Sequence, residues 1–148
     1  MKVLFVCLGN ICRSPTAEAN YRKHFESRKI EAHFDSAGTS DYHIGARSDA
    51  RSIKHAEARG YLMTHITRQV HAGDFEEFDL IFAMDKSNYR NLQRLCPDER
   101  LMQKLHLILG DQDVPDPYIS GAAGFEHVID LLEATIPKVI AKFFSSHK

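Results

Sequence analysis

Short apolar segments alternate with amphipathic ones along the whole chain, and this alternation limits the fold more than any other feature. The apolar segments occupy residues 2–7, 33–38, 79–84 and 104–110, and the amphipathic ones occupy 14–28, 48–60, 85–95 and 125–144. The first, KVLFVC, is β-branched and aromatic without polar alternation, as in a strand buried on both faces. The pattern predicts a single α/β domain over residues 1–148, with a parallel, twisted, Rossmann-like sheet and helices on both faces.

Residues at the segment boundaries predict where the helices begin and end. Ser14 is placed to cap the first helix, with Pro15 in its first turn, and Asp85 can cap the third. Gly60 is expected to end the second helix, and Pro137 to kink the last one. Ligands of parallel sheets bind at the carboxyl ends of strands, so the loops that follow strands are the first places to look for function.

Charge and composition argue against nucleic-acid binding, membrane insertion and secretion. The net charge is −1, so no overall basic field favours nucleic acid. No apolar stretch approaches the ~18 residues that a membrane helix needs, and the apolar start of MKVLFVCLGN is too short for a signal peptide and lacks a cleavage site. Three cysteines are too few for a secreted disulfide scaffold. We therefore expect a cytoplasmic protein with no nucleic-acid or membrane partner.

The loop CLGNICRSP joins the first predicted strand to the first helix. Its Cys-x5-Arg spacing brings a thiol and a guanidinium into one tight turn, with a serine next to the arginine. Gly9 permits unusual backbone angles, so successive N–H groups can point inward as an anion-binding nest. The planar Arg13 side chain matches phosphate oxygens bidentately. Because the same cradle would stabilise the Cys7 thiolate and hold a phosphate over its sulfur, the loop indicates nucleophilic phosphoryl transfer.

Three other interpretations of the loop explain fewer of its residues. A buried, inert Cys7 would leave Gly9, Asn10 and the Arg13–Ser14 pair without a shared purpose. A zinc site built on both loop cysteines lacks a second pair of ligands, because the third cysteine is alone and the nine histidines show no paired spacing. A nucleotide-binding loop would carry one of two glycine-rich motifs, and both are missing.

The motifs resemble those of the low-molecular-weight protein tyrosine phosphatase family. VCLGNICRSPTAE is similar to the signature of that family, and DSAGTSDYHIG, HITRQV, FDLIFAMDKSNYRNL and VPDPY follow in the family's order. The match covers essentially the whole chain. The resemblance implies a four-stranded parallel sheet flanked by helices, phosphotyrosine-bearing proteins as substrates, and a reaction that uses neither a metal nor another cofactor.

The resemblance also implies roles for individual residues. The nucleophile corresponds to Cys7, the phosphate-binding arginine to Arg13 and the general acid to Asp116, in DPY. From the residues alone, Asp111 and Asp113 are equal candidates for the acid, because all three aspartates lie in one loop. The remaining members of the phosphate-binding loop are Leu8, Gly9, Asn10, Ile11, Cys12 and Ser14, of which Asn10 would hold the loop's shape and Ser14 would stabilise the thiolate.

Four further residues match positions around the family's cleft. Ser36 and His65 resemble hydrogen-bond partners behind the loop, although an ordinary packed polar residue is the alternative for each. Tyr42 and Tyr118 match the aromatic walls of the cleft, with a place in the core as the alternative. The family often carries tryptophan at the position of Tyr42, and a second aromatic residue and a glycine after DPY, where this chain has Ile119 and Ser120. We therefore expect a differently shaped cleft wall and a different substrate preference.

Cys12 offers a redox role or a packing role. It lies in the same curled loop as Cys7, so a disulfide between the two sulfurs could protect an oxidised nucleophile. From the residues alone, Cys12 could equally be a small residue that fills space beneath the loop. The family resemblance favours the redox role.

Three other functions compete with tyrosine phosphatase activity. The arginine phosphatase branch resembles this chain but carries threonine at the position of Ile11. Thioredoxin-coupled arsenate reductase shares the loop, but its relay needs two further cysteines and this chain has only Cys96. A non-catalytic phosphotyrosine-binding module would not need the acid Asp116. We expect a monomeric tyrosine phosphatase, with a weak dimer as the alternative.

Overall fold

A four-stranded parallel sheet forms the centre of the molecule in the computed structural model, which describes residues 1–117 and 121–144. Its strands are β1 (Lys2–Cys7), β2 (His33–Gly38), β3 (Leu80–Ala83) and β4 (Leu105–Leu107). Their order across the sheet is β2-β1-β3-β4, and every neighbouring pair is parallel. The predicted fold class is confirmed.

Strand β1 is apolar because both of its faces are covered. Val3 and Phe5 belong to one hydrophobic cluster, and Leu4 and Val6 belong to a second cluster on the other face. All four side chains are at most 1% exposed. The run without polar alternation thus predicts the helical cover on both sides of the sheet correctly.

Within residues 1–117 and 121–144 the structure has five α-helices: α1 (Arg13–Ser27), α2 (Ala50–Ala58), α3 (Asp74–Glu77), α4 (Lys86–Leu95) and α5 (Ala122–Phe143). Helices α1 and α5 pack on one face, where Tyr21 and Leu132 are fully buried. Helices α3 and α4 cover the other face with Phe75 and Leu92. The sequence pattern does not show α3 or the 3₁₀ helix at Glu99–Lys104, because one or two turns are too short to display a helical period.

The helix boundaries agree with three expectations and contradict one. Asp85 caps α4 by accepting a hydrogen bond from the Asn88 N–H at 2.7 Å. Gly60 has φ +84° just after α2 ends, and Pro15 lies in the first turn of α1. The expectation that Ser14 caps α1 is wrong: the cap position is Cys12, and no side chain caps this helix end. Ser14 lies inside the first turn of α1, so its hydroxyl is available to a partner other than the N–H groups of the helix end.

The order of the strands creates a crevice at the carboxyl end of β1. After β1 the chain crosses to β2 at one side of the sheet, and after β3 it crosses to β4 at the other side. The loops after β1 and β3 therefore diverge. Cys7 ends β1, and Asp85 follows β3 by two residues. In the part of the chain that the structure describes, no helix is both long and apolar enough to cross a membrane.

Candidate active site

The loop between β1 and α1 curls around the sulfur of Cys7. Asn10 takes φ +58°, the left-handed conformation that asparagine tolerates better than most residues. The expectation that Gly9 supplies the unusual backbone angle is therefore wrong, since its φ is not in that region. Gly9 instead leaves room for the His43 ring, because a Cβ there would make a tight contact of 3.3 Å with Cδ2 of His43.

Two hydrogen bonds reach the Cys7 sulfur, which is almost fully buried. The Asn10 N–H lies 3.2 Å from Sγ, and the Ser14 hydroxyl lies 3.0 Å from it. The Arg68 N–H donates to Asn10 Oδ1 at 3.0 Å, which fixes the orientation of the Asn10 amide. Asn10 Nδ2 then donates to Ser14 Oγ at 2.9 Å. Because Ser14 already accepts at its oxygen, its own proton is available to point at the sulfur, as a thiolate requires.

Ser36 and His65 lie behind the loop and hold Asn10, as the sequence predicts. Ser36 Oγ accepts from Asn10 Nδ2 at 3.0 Å and donates to Glu18 Oε1 at 2.8 Å. His65 Nε2 lies 2.8 Å from Asn10 Oδ1. Its Nδ1 faces carboxylate oxygens of Glu18 and Asp35 at 3.2 and 3.4 Å. Because the Arg68 N–H fixes Asn10 Oδ1 as an acceptor, His65 Nε2 is the donor in this contact.

Glu18, Asp35 and His65 have potential metal-ligating atoms within 4.8 Å of one another. These atoms already have protein partners: Glu18 accepts from Arg22 at 2.7 Å, and Asp35 accepts from Arg68 at 3.0 Å. The group therefore works as a hydrogen-bonded support for Asn10. Sequence reasoning missed Glu18, Asp35 and Arg68, because their link to the loop exists only in the folded chain.

Arg13 connects the loop to the turn after β3 and to the aspartate-rich loop. Its Nη1 donates to Asp85 Oδ2 at 2.7 Å and to the Val114 carbonyl at 2.9 Å. Burial opposes the charge of the guanidinium, but the Cys7 sulfur and the Asp85 carboxylate outweigh burial and raise the pKa of Arg13 above its ordinary value. Arg13 is thus a fixed cation beside the sulfur. The sequence assigned Asp85 only a capping role, and its bond to Arg13 was missed.

The aspartate-rich loop separates the three candidate acids. Asp113 Oδ1 accepts from the Lys86 N–H at 2.9 Å, and the Val114 N–H donates to the Met84 carbonyl at 2.8 Å, so this part of the loop is anchored. Asp116 alone of the three lines the pocket over Cys7, with Oδ2 3.9 Å from Arg13 Nη2 and the side chain 51% exposed. The structure therefore brings Asp116, and neither Asp111 nor Asp113, to the lining of the cleft over Cys7.

A cleft of about 300 Å³ opens above the sulfur. Its rim includes Tyr42, which is 74% exposed and so does not belong to the core. His43 stands beside Tyr42, with the two rings nearly perpendicular, and was not among the predicted cleft residues. Tyr118 lies outside the described residues. The lining consists of Cys7, Leu8, Gly9, Ile11, Cys12, Arg13, Tyr42, His43 and Asp116.

Cys12 lies under the loop, 5% exposed. Burial raises the pKa of the Cys12 thiol from 9.0 to about 12, with a hydrogen bond to Ser52 opposing this and the charges of Asp49 and Cys7 adding to it. The third cysteine, Cys96, packs against the hydrophobic cluster on the α4 side and is absent from the cleft lining among the described residues.

The whole arrangement has counterparts in known proteins. A family model described as "Low molecular weight phosphotyrosine protein phosphatase" matches residues 2–146. The chain belongs to this family. It is 42% identical over 135 residues to the low molecular weight phosphotyrosine protein phosphatase of Schizosaccharomyces pombe, covering 84% of this chain and 85% of the relative.

Solved structures of phosphatases share the complete fold of this low molecular weight phosphatase. A protein tyrosine phosphatase from Entamoeba histolytica, with Hepes in its active site, superposes with a TM-score of 0.94 and 43% identity, covering 100% of this chain and 99% of that one. The Drosophila arginine phosphatase superposes with a TM-score of 0.91 and 32% identity, covering 97% and 98%. The protein is accordingly a phosphotyrosine protein phosphatase, a hydrolase, by family membership.

Proposed function

We propose that this phosphatase hydrolyses phosphotyrosine in proteins, and small aryl phosphates, through a phosphocysteine intermediate on Cys7. One observation carries the proposal: the Ser14 hydroxyl and the Asn10 N–H lie 3.0 and 3.2 Å from the Cys7 sulfur, in a cleft that Arg13 and Asp116 also line. Donors aimed at a sulfur favour its thiolate, which is the nucleophilic form.

In the first step, the Cys7 thiolate attacks phosphorus and forms the S–P bond while the P–O bond to the tyrosine oxygen breaks. The loop N–H groups and the guanidinium of Arg13 stabilise the charge on the three non-bridging oxygens. Asp116, in its acid form, gives its proton to the departing phenolate. This proton matters because a phenol has a pKa of ~10 and leaves poorly as an anion.

In the second step, water attacks phosphorus and the S–P bond breaks, which returns the electron pair to sulfur. Asp116, now a carboxylate, takes the proton of the attacking water and is restored as an acid. The products are inorganic phosphate and the free Cys7 thiolate. The exposed side chain of Asp116 suits this exchange because water can reach it from the cleft mouth.

The nucleophile assignment is tested with Cys7→Ser. A hydroxyl in the same cradle stays protonated, so this variant should bind phosphate but show no turnover of p-nitrophenyl phosphate. Rapid acid quench of the wild type followed by mass spectrometry should show one phosphate on the peptide that contains Cys7. Burst release of nitrophenolate from a clean Cys7→Ser preparation would overturn the assignment.

The cleft lining separates this proposal from its two closest competitors. Ile11 lines the cleft where the arginine phosphatase branch carries threonine, and an aliphatic side chain there favours an aryl ester over a phosphoguanidinium. Arsenate reduction needs a relay of two further cysteines, and Cys96 is packed away from the described lining. Both observations support phosphotyrosine as the substrate.

Oxidation of the nucleophile is the next part of the proposal. Hydrogen peroxide would convert the Cys7 thiolate to a sulfenic acid, and the Cys12 thiol would then close a Cys7–Cys12 disulfide with loss of water. Both sulfurs line one cleft, and the charge of Cys7 contributes to the raised pKa of Cys12, which supports their proximity. After peroxide and then dithiothreitol, wild type should recover activity and Cys12→Ser should not; equal recovery would remove the redox role.

We also propose a cytoplasmic enzyme that works as a monomer on phosphotyrosine-bearing proteins. Three cysteines are too few for a secreted disulfide scaffold, which supports a reducing compartment. Sedimentation at rising protein concentration, with activity measured on the same samples, should show one species of constant specific activity.

A further inference from the structure

A second groove lies beside the cleft and shares a wall with it. This side groove has a volume of about 480 Å³, and its lining consists of Leu8, Thr39, Ser40, Asp41, Tyr42, Gln69, Val70, Asn91 and Leu95. Leu8 and Tyr42 line both the side groove and the cleft over Cys7. They are 42% and 74% exposed, so they form a ridge between the two neighbouring depressions.

Hydrogen bonds from residues 39 and 40 hold the Leu8 side of the ridge in place. The Ser40 N–H and the Ser40 hydroxyl both donate to the Leu8 carbonyl at 3.0 Å, and the Thr39 N–H donates to the Cys7 carbonyl at 2.9 Å. On the floor of the groove, Gln69 Nε2 donates to the Thr39 carbonyl at 3.3 Å. The chain that forms the side groove is therefore tied directly to the strand end that carries the nucleophile.

A protein substrate reaches the side groove by crossing this ridge. When a phosphotyrosine side chain enters the cleft, the residues on either side of it stay at the surface, at up to ~3.6 Å per residue along an extended chain. The side groove lies next to the cleft and offers apolar contact at Val70 and Leu95 together with polar groups at Asn91 and Gln69. This mixture suits a short extended polypeptide segment.

Asp41 gives the side groove a charge preference. It is the one charged side chain among the described residues that line the groove, it is exposed, and it joins no ion pair within residues 1–117 and 121–144. At the far end, Asn91 Oδ1 accepts from Arg94 Nη1 at 3.0 Å, so a cation is already present there. The carboxylate beside Tyr42 thus favours a cation near the phosphotyrosine.

We propose that the side groove binds the polypeptide segment next to the phosphotyrosine and that Asp41 selects a lysine or arginine within three residues of it. The proposal rests on the proposed phosphotyrosine activity of the cleft. An exposed ion pair of this kind corresponds to about a 2- to 5-fold preference in kcat/KM, which salt should weaken.

The test compares phosphotyrosine peptides that carry a single lysine, alanine or glutamate at each of the three positions on either side. For wild type, kcat/KM with lysine at the best position should exceed that of the alanine peptide by about 2- to 5-fold. In Asp41→Asn, this ratio should fall to about one; taking the ratio within each variant cancels any general loss. Asp111→Asn removes one exposed carboxylate outside the groove and should keep the wild-type ratio.

A further variant separates the groove from a general charge effect. Asp41→Lys reverses the charge at the same position, so it should change the preference from lysine to glutamate. A lysine preference that persists in Asp41→Lys, or equal losses in Asp41→Asn and Asp111→Asn, would overturn the side-groove proposal. If wild type fails to turn over p-nitrophenyl phosphate at all, the proposed function itself fails, which is a different result from turnover without lysine preference.

Discussion

Replacing Ser14 by alanine tests whether its hydroxyl stabilises the nucleophile directly. The hydroxyl lies 3.0 Å from the Cys7 sulfur and is fully buried. A hydrogen bond to a charged group contributes about 1.5–3 kcal/mol, and about 1.4 kcal/mol corresponds to a factor of ten in rate. Ser14→Ala should therefore lower kcat for p-nitrophenyl phosphate by roughly 10- to 100-fold.

Ser36→Ala is the matched control. Both substitutions leave a buried Asn10 N–H without its acceptor, since Nδ2 donates to Ser14 at 2.9 Å and to Ser36 at 3.0 Å. Each should therefore lower the free energy of unfolding by about 1–3 kcal/mol. Of the two serines, Ser14 contacts the Cys7 sulfur and Ser36 does not. Urea unfolding and pre-steady-state kinetics on both variants separate the two effects, and equal losses of kcat would show that Ser14 acts only through Asn10.

Four further predictions concern the cleft. Asp116→Asn should slow phenyl phosphate by ~10²–10⁴ and p-nitrophenyl phosphate much less; equal losses would make Asp116 structural. Arg13→Lys should lose most of kcat, because a point charge cannot replace the planar fork; near wild-type kcat would contradict the clamp. Ile11→Thr should lower phosphotyrosine relative to phosphoarginine turnover, and an unchanged ratio of kcat/KM values would refute this. Folding raises the pKa of the Cys12 thiol from 9.0 to about 12, so its contribution to the free energy of unfolding is complete below pH 9 and is lost between pH 9 and pH 12. Over that pH range, the free energy of unfolding should fall less steeply in Cys12→Ala than in wild type.

The sheet and most of the helices could be predicted because their signals are local. A strand such as β1, buried on both faces, has an uninterrupted apolar sequence. Helices α1 and α4 have helical spacing, and the start of α4 is marked by its cap residue, Asp85. The loop chemistry was also readable, because Cys7, Arg13 and Ser14 lie within eight residues of one another.

The support of the loop could not be predicted, because it depends on contacts between distant residues. Asp85 meets Arg13 from 72 positions away in sequence, and Arg68 meets Asn10 from 58. Gly38 is a further case: a Cβ there would lie 2.8 Å from the Leu8 carbonyl oxygen, so only glycine fits beside the loop. A glycine at the end of a predicted strand gives no sign of which backbone approaches it.

The double hydrogen bond at Arg13 Nη1 has a consequence for product release. With Asp85 and Val114 holding one edge of the guanidinium, the Arg13 side chain is fixed before any ligand arrives. A preorganised site loses little side-chain entropy on binding, and this benefits a free phosphate ion as much as a phosphate ester. The enzyme should therefore be subject to product inhibition, and its turnover in a cell would fall as the inorganic phosphate concentration rises.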